Sequence, residues 1–267
     1  MSSDATRIVG ITLAHNEDVF VERAVRNASA FCDEFILTDH NSTDRTPDIL
    51  RALATELPHT TFRAISHAKE SHDLIQKFAN TPTWIFAVDG DEIYDPAALA
   101  RLRRRILSGE FHNCWNLLGN VLNMTALDST ADSATGHLAP PCRSMTKLYN
   151  FSAITAWDGY TPERLHGGQI HFKPGYSTET RRLLHDEQPW EAADFRCLHA
   201  CFLQRSSKEN PDTARRNSME IFGNTRLHGL WLSFRRFLGL KESSSDYKQT
   251  RYTRGPAVTT PVDAFFP

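Results

Sequence analysis

Two aspartates held one residue apart by a glycine, Asp89-Gly90-Asp91, close the apolar run Trp84-Ile85-Phe86-Ala87-Val88. Carboxylates at that spacing suit Mg²⁺ or Mn²⁺ bridging a diphosphate, because both ions prefer hard oxygen ligands and readily keep phosphate oxygens in their shell. The run itself, bounded by Pro82 and Gly90, reads as a strand buried on both faces, as in parallel sheets. Ligands of such sheets bind beyond the carboxyl ends of the strands, which puts Asp89 and Asp91 where a ligand is expected. The plain alternative is an acidic turn that caps the helix beginning at Pro96.

A second set of polar residues lies upstream. Arg7 to Ala14 forms a first strand and is followed at once by His15-Asn16-Glu17-Asp18 and a helical pattern from Val19 to Ala30. Phe35 to Thr38 forms a second strand, ending in Asp39-His40-Asn41-Ser42-Thr43-Asp44-Arg45-Thr46-Pro47. Thr46 is the expected helix cap, with Pro47 at the first helical position. Strand, helix, strand, polar loop and helix in succession give a βαβ unit. Each strand therefore delivers its polar residues to the same rim, although Asn16-Glu17-Asp18 also suit plain capping of the helix that follows.

Thr12 to Glu17, then Ile36 to Thr46, then Val88 to Glu92 resemble the three successive signatures of glycosyltransferase family 2. The resemblance covers about the first hundred residues. It departs at His40 and Asn41, which stand where the family commonly has Asp-Gly. It implies a GT-A fold, an α/β Rossmann-like and mostly parallel sheet flanked by helices, with an α+β acceptor-side region toward the C-terminus. It also implies a nucleotide-diphospho-sugar donor, a UDP-sugar by family frequency, and a Mn²⁺ or Mg²⁺ cofactor. Donor contacts then fall on Ala14, Asn16, Glu17, Asp39, Asp89 and Gly90, with Asp39 accepting from a ring N–H of the base. Asp89 and Asp91 hold the ion, and His199 completes its shell, with His171 and His185 as rivals.

An inverting sugar transfer needs a carboxylate facing the anomeric carbon to take the acceptor's proton. Trp157 to Leu165 is similar to the Gly-x-x-His-Glu segment of lipopolysaccharide-core-type members of family 2, with Pro162 in place of the histidine. Glu163 is the first choice for the base; Asp158, Asp186 and Glu187 are the alternatives. The acceptor class implied is a glycan, a glycolipid or a small-molecule hydroxyl.

The elements that must position these groups can be read along the chain. Thr61 to Ile65 is a weak strand, Ser71 to Ala79 a short helix, and Pro96 to Ser108 a helix with Leu99, Leu102 and Ile106 buried and its arginines outward. Phe111 to Leu122 reads as a strand or strand pair. Thr125 to Pro141, rich in Ser, Thr, Ala and Pro, reads as a mobile loop that closes over the substrate. Ser144 to Asn150 resumes strand-like alternation, and Lys208 to Phe222 and Leu227 to Leu240 read as helices. The organisation expected is one continuous domain: a nucleotide-sugar-binding half over 1–124, a loop and acceptor half over 125–205, and C-terminal helices with a poorly ordered polar tail over 206–267.

Composition sets outer limits. The 267-residue chain is 40% hydrophobic and carries a formal net charge of −2. That is enough for a sizeable core and argues against a bulk nucleic-acid binder. Five cysteines without paired metal-ligand spacing read as reduced thiols. The N-terminus lacks the make-up of a secretion signal, and no stretch reaches the ~20 apolar residues of a membrane span. The expected location is cytoplasmic, with peripheral contact to the inner face of a membrane left open through Leu227–Leu240, an apolar stretch carrying a small basic cluster. Oligomeric state is left open. Two other functions compete: a sugar-nucleotide nucleotidyltransferase, disfavoured because His15-Asn16-Glu17-Asp18 stands where a Gly-rich basic loop is usual, and a non-catalytic nucleotide-sugar-binding protein.

Overall fold

The computed structural model describes residues 5–67, 69–142, 147–158, 168–209 and 251–267. Its first half follows the expected alternation: β1 (Arg7–Ala14), α1 (Val21–Ser29), β2 (Glu34–His40), α2 (Thr46–Glu56), β3 (Thr60–Ile65), α3 (Glu70–Gln76), β4 (Thr83–Val88), β5 (Glu92–Tyr94) and α4 (Pro96–Leu107). The strands β6 (Asn116–Leu118), β7 (Asn120–Asp128), β8 (Ser133–Ala139), β9 (Leu148–Asn150), β10 (Ile154–Asp158), β11 (Gln169–Phe172) and β12 (Arg181–Leu183) follow. A short helix α5 (Leu184–Glu187) and strands β13 (Arg196–His199) and β14 (Ala257–Pro261) complete the described elements.

Among the described residues, seven strands form the main sheet in the order β12-β6-β9-β4-β1-β2-β3. The strands β4, β1, β2 and β3 pair in parallel, and β9 runs antiparallel between β4 and β6. With helices flanking it, this is the mostly parallel, Rossmann-like α/β sheet expected from the sequence. Both faces of the sheet are buried, and residue alternation shows it. Trp84, Phe86 and Val88 of β4 join one core with α1, α2 and α4, while Ile85 and Ala87 join another with Ile75, Trp115 and Trp157. A second sheet, β14-β8-β7-β13-β5, stands beside the first, and β10 with β11 makes a separate antiparallel ribbon.

Two expectations are corrected here. Thr125 to Pro141 is largely the β7–β8 hairpin rather than a loop. Its turn is set by Asp128, whose Oδ1 accepts from the N–H groups of Thr130 at 2.9 Å and Ala131 at 3.2 Å. On β8 the buried positions are Ala134, Gly136 and Ala139, small residues that carry no visible hydrophobic period. A Cβ on Gly136 would sit 2.2 Å from the Asn123 carbonyl, so only glycine permits this pairing. The end of the tail is likewise structured: β14 pairs with β8, and Val262 and Phe265 are buried. Asn27 donates to the Phe265 carbonyl at 2.8 Å, and Trp190 stacks on the Phe265 ring. Leu227–Leu240 lies outside the described residues, and none of the described helices is long and apolar enough to cross a membrane.

One core position is poorly satisfied. His72 on α3 is 1% exposed, packs edge-on to Trp157, and leaves both ring nitrogens without a hydrogen-bond partner. Burial pushes its pKa down, against a small opposing pull from Asp73 and a further lowering by Lys69. The unfolded chain then binds this proton more readily, so stability falls as pH drops through the ordinary histidine range near ~6.5. Replacing a buried, unsatisfied polar group by an apolar one of similar shape is neutral to stabilising. His72→Phe should therefore raise the urea midpoint by the equivalent of about 1 kcal/mol at pH 7.5, and by more at pH 5.5. A lower midpoint at both pH values would contradict this account of His72.

Candidate functional site

The rim is assembled from the carboxyl ends of β1, β2 and β4. Ala14 and Asp39 lie opposite one another in register at the ends of β1 and β2. Asn16 follows in a left-handed conformation (φ 52°) and its side-chain oxygen accepts from Thr43 N at 2.8 Å. Asn16 N in turn donates to Ser42 Oγ at 2.9 Å. These bonds clamp the loop after β1 to the loop after β2. Asn41, where the family commonly has glycine, also sits at φ 53°. Asparagine is among the few non-glycine residues that tolerate this region, so the exchange preserves the turn.

The plain capping role proposed for Asn16-Glu17-Asp18 is not what the side chains do. The N-cap of α1 is Phe20 and makes no side-chain cap bond; the Glu17 carbonyl accepts from Phe20 N and Val21 N instead. Glu17 is fully buried, its N–H donates to Thr46 Oγ1 at 2.8 Å, and its carboxylate packs on Gly90. A Cβ on Gly90 would meet Glu17 Oε2 at 2.5 Å, which is why glycine separates the two aspartates. Thr46 is the first residue of α2 rather than its cap, and Asp44 Oδ1 accepts from its N–H at 2.9 Å. The cap of α4 is Asp95, accepting from Ala98 N at 3.0 Å, so the Asp89-Gly90-Asp91 turn has no capping duty there.

Asp39 is 5% exposed. Its Oδ2 accepts from Ser42 N at 3.2 Å, while the buried Oδ1 has no partner. A buried acceptor without a donor is costly unless a ligand supplies one.

The aspartate pair differs from its expected state. Lys147, 1% exposed, places its Nζ 2.5 Å from Asp89 Oδ2 and 3.3 Å from Glu92 Oε1. Arg205, also buried, donates from Nη1 to Asp91 Oδ2 at 2.7 Å. His199 does come to Asp91: its Nε2 is 3.8 Å from the same Oδ2, and its Nδ1 donates to Asn123 Oδ1 at 2.9 Å. Burial pushes the His199 pKa down to about 4, so the ring is neutral at physiological pH. Burial likewise pushes Glu92 up to about 8, against the pull of Lys147. The expected ion set of Asp89, Asp91 and His199 is not gathered as a metal cluster: no group of three or more His, Cys, Asp or Glu among the described residues is arranged to hold one. As they stand, these side chains do not fit a divalent ion, because the Lys147 ammonium already pairs with Asp89 Oδ2 and the Arg205 guanidinium with Asp91 Oδ2.

The remaining expected residues lie elsewhere. Asp158 is on the β10–β11 ribbon, exposed, with His171 Nε2 at 2.8 Å. His171 is therefore not beside Asp91, and His185 lies 3.5 Å from Asp186. Glu187 pairs with Arg182 at 2.5 Å. Glu163 lies outside the described residues.

A segment not singled out in the sequence completes the rim. Val19 N donates to the Arg205 carbonyl, Ser206 Oγ to Asp44 Oδ2 at 2.6 Å, and Ser207 N to Asp18 Oδ1 at 2.7 Å. Lys208 Nζ donates to the Thr43 carbonyl. The only sequence signal for Lys147 was a lone charge in a strand-like run, which demands a buried partner. Arg205 to Ser207 offer no periodicity, and Lys208 reads only as the start of a helix.

No family model matches the chain, and no curated protein matches it. Several solved structures do. Glucosyl-3-phosphoglycerate synthase from Mycobacterium tuberculosis, in complex with Mn²⁺, UDP and glucosyl-3-phosphoglycerate, is 21% identical over 44% of this chain and 43% of that one, with a TM-score of 0.30. A mannosyltransferase from Pyrobaculum calidifontis, in complex with GDP-Man and Mn²⁺, is 18% identical over 48% of this chain and 38% of its own, with a TM-score of 0.33. The 4-diphosphocytidyl-2C-methyl-D-erythritol synthase of Anaerococcus prevotii is 14% identical over 57% of this chain and 74% of its own, with a TM-score of 0.34. The chain thus spans less than half the length of the first two of these proteins.

Proposed function

We propose that the chain is a glycosyltransferase that moves a sugar from a nucleotide-diphospho-sugar, a UDP-sugar first among them, to an acceptor hydroxyl with inversion. The observation that carries this reading is the unpartnered, buried Oδ1 of Asp39 at the carboxyl end of β2, beside Ala14. A ring N–H of uracil would supply the missing donor. The clamp of Asn16 to the loop after β2 pre-forms the floor for base and ribose, and Glu17 and Gly90 bring the Asp89 turn alongside.

In the reaction the acceptor oxygen attacks the anomeric carbon while the bond to the nucleotide diphosphate breaks, and a carboxylate takes the acceptor's proton. Glu163 is assigned that base, with Asp158 as the alternative. The acceptor is a glycan, glycolipid or small-molecule hydroxyl. The resemblance implies Mn²⁺ or Mg²⁺, but the ion-paired Asp89 and Asp91 do not fit such an ion.

The test is a thermal-shift screen of UDP, GDP and dTDP and their sugars. A ligand at a hundred times its Kd adds about 2.7 kcal/mol, a rise of roughly 5 °C or more for a chain of this size. A melting temperature unmoved by every nucleoside diphosphate and every donor would refute the reading. Pyrophosphate release from a nucleoside triphosphate and a sugar phosphate would transfer it to the nucleotidyltransferase class.

A further inference from the structure

We infer that Arg205 is the diphosphate-binding cation of this site, and that it binds a nucleoside diphosphate without a divalent ion. The inference rests on the nucleotide-sugar reading above and concerns the cation alone.

Three observations point the same way. First, both aspartates of the turn already have a cation: Lys147 on Asp89 at 2.5 Å and Arg205 on Asp91 at 2.7 Å. These pairs cancel the negative charge that would otherwise repel a diphosphate. Second, Arg205 uses one guanidinium nitrogen on Asp91, and among the described residues its Nε and Nη2 meet no further hydrogen-bond acceptor. Its backbone is pinned on both sides, with the carbonyl accepting from Val19 N and the N–H donating to Glu209 Oε2 at 2.9 Å. A buried guanidinium with donors to spare is a fork of the shape that phosphate oxygens accept in pairs. Third, the Arg205 segment is bound to the rim itself, through Ser206 to Asp44 and Ser207 to Asp18. The cation therefore stands among the loops that would carry the nucleotide.

A divalent ion shared by Asp91 Oδ2 and His199 Nε2 would have to displace the guanidinium from that same oxygen. Moving Lys147 from Asp89 would strand a buried ammonium. Both cations come from segments far along the chain from the aspartates they hold, so neither is a by-product of local sequence.

Calorimetric titration of the full chain with UDP, in EDTA and separately in Mn²⁺, tests this. The expected result is a Kd in EDTA within threefold of that in Mn²⁺. Arg205→Gln and Arg205→Lys should each weaken UDP at least tenfold in both buffers, the lysine variant because a point charge lacks the fork, while uridine affinity stays unchanged. UDP binding lost in EDTA and restored by Mn²⁺ overturns the inference, whether or not the variants fold. So does UDP affinity that is unchanged or tightened by Arg205→Gln. If no nucleoside diphosphate binds in either buffer, the nucleotide-sugar reading itself falls.

Discussion

A Lys147→Met chain should lose about 3–5 kcal/mol of folding stability, the typical cost of removing one partner from a buried ion pair. The geometry explains why so much rests on one side chain. Asp89 is 4% exposed and Glu92 is fully buried, and Lys147 lies 2.5 Å from one and 3.3 Å from the other. Methionine fills the stem's volume but removes the ammonium that both buried carboxyl groups meet. Only about 5–15 kcal/mol separates a folded domain from its unfolded chain, so the urea midpoint should drop markedly. The pH dependence gives a signature that simple packing loss would not. With the ammonium gone, burial without a cation favours the neutral form of a carboxyl group, so the folded variant takes up a proton more readily than its unfolded chain. The variant should therefore recover part of its deficit as pH falls from 7 toward 5. Lys147→Met/Asp89→Asn should recover it at all pH values. A variant as stable as the parent at pH 7 would show that the pair is not needed for folding.

The parts of this molecule readable in the sequence share a physical trait: they are short-range patterns. The β1 boundaries, Arg7 and Ala14, follow from one apolar run and one polar break. Likewise β4 follows from a run buried on both faces, and α4 from Pro96 at its start and Leu99, Leu102 and Ile106 on one face. The rim follows from these, since parallel strands end together and each ends in a polar loop. What stayed hidden depends on pairing across long stretches of chain. The β7–β8 hairpin turns on Ala134 and Gly136, whose burial is decided by the partner strand and not by hydrophobicity. The end of the tail looks polar, yet Phe265 is buried because Asn27 and Trp190 receive it from distant elements. Most telling are Lys147 and Arg205. Their type says only that each needs a carboxylate; which carboxylate is a property of the folded chain. The spacing of Asp89 and Asp91 puts two carboxylates at the end of β4, but spacing carries no information on the cation that meets them.

Asp39→Ala should weaken binding of UDP or its sugar about 10–100-fold, as expected for losing one hydrogen bond to a charged acceptor worth about 1.5–3 kcal/mol. The residue sits at the end of β2 with one oxygen held by Ser42 N and the other buried without a partner. In the ligand-free chain that second oxygen is a liability, so the substitution should leave folding stability nearly unchanged while removing affinity. That split separates a binding residue from a structural one. It also sets where the kinetic effect falls. A contact to the base is made equally in ground state and transition state, so its loss raises KM for the donor and leaves kcat close to the parent value. Asp39→Asn sharpens the test, because the amide oxygen keeps the bond from Ser42 N and the NH2 takes the place of Oδ1, turning a donor toward the base. It should bind UDP more weakly than the parent and shift preference toward a base whose edge presents an acceptor, such as cytosine. Equal affinity of parent and Asp39→Ala for UDP, with the fold intact, would move base recognition away from the end of β2 and remove the observation on which the transferase reading stands.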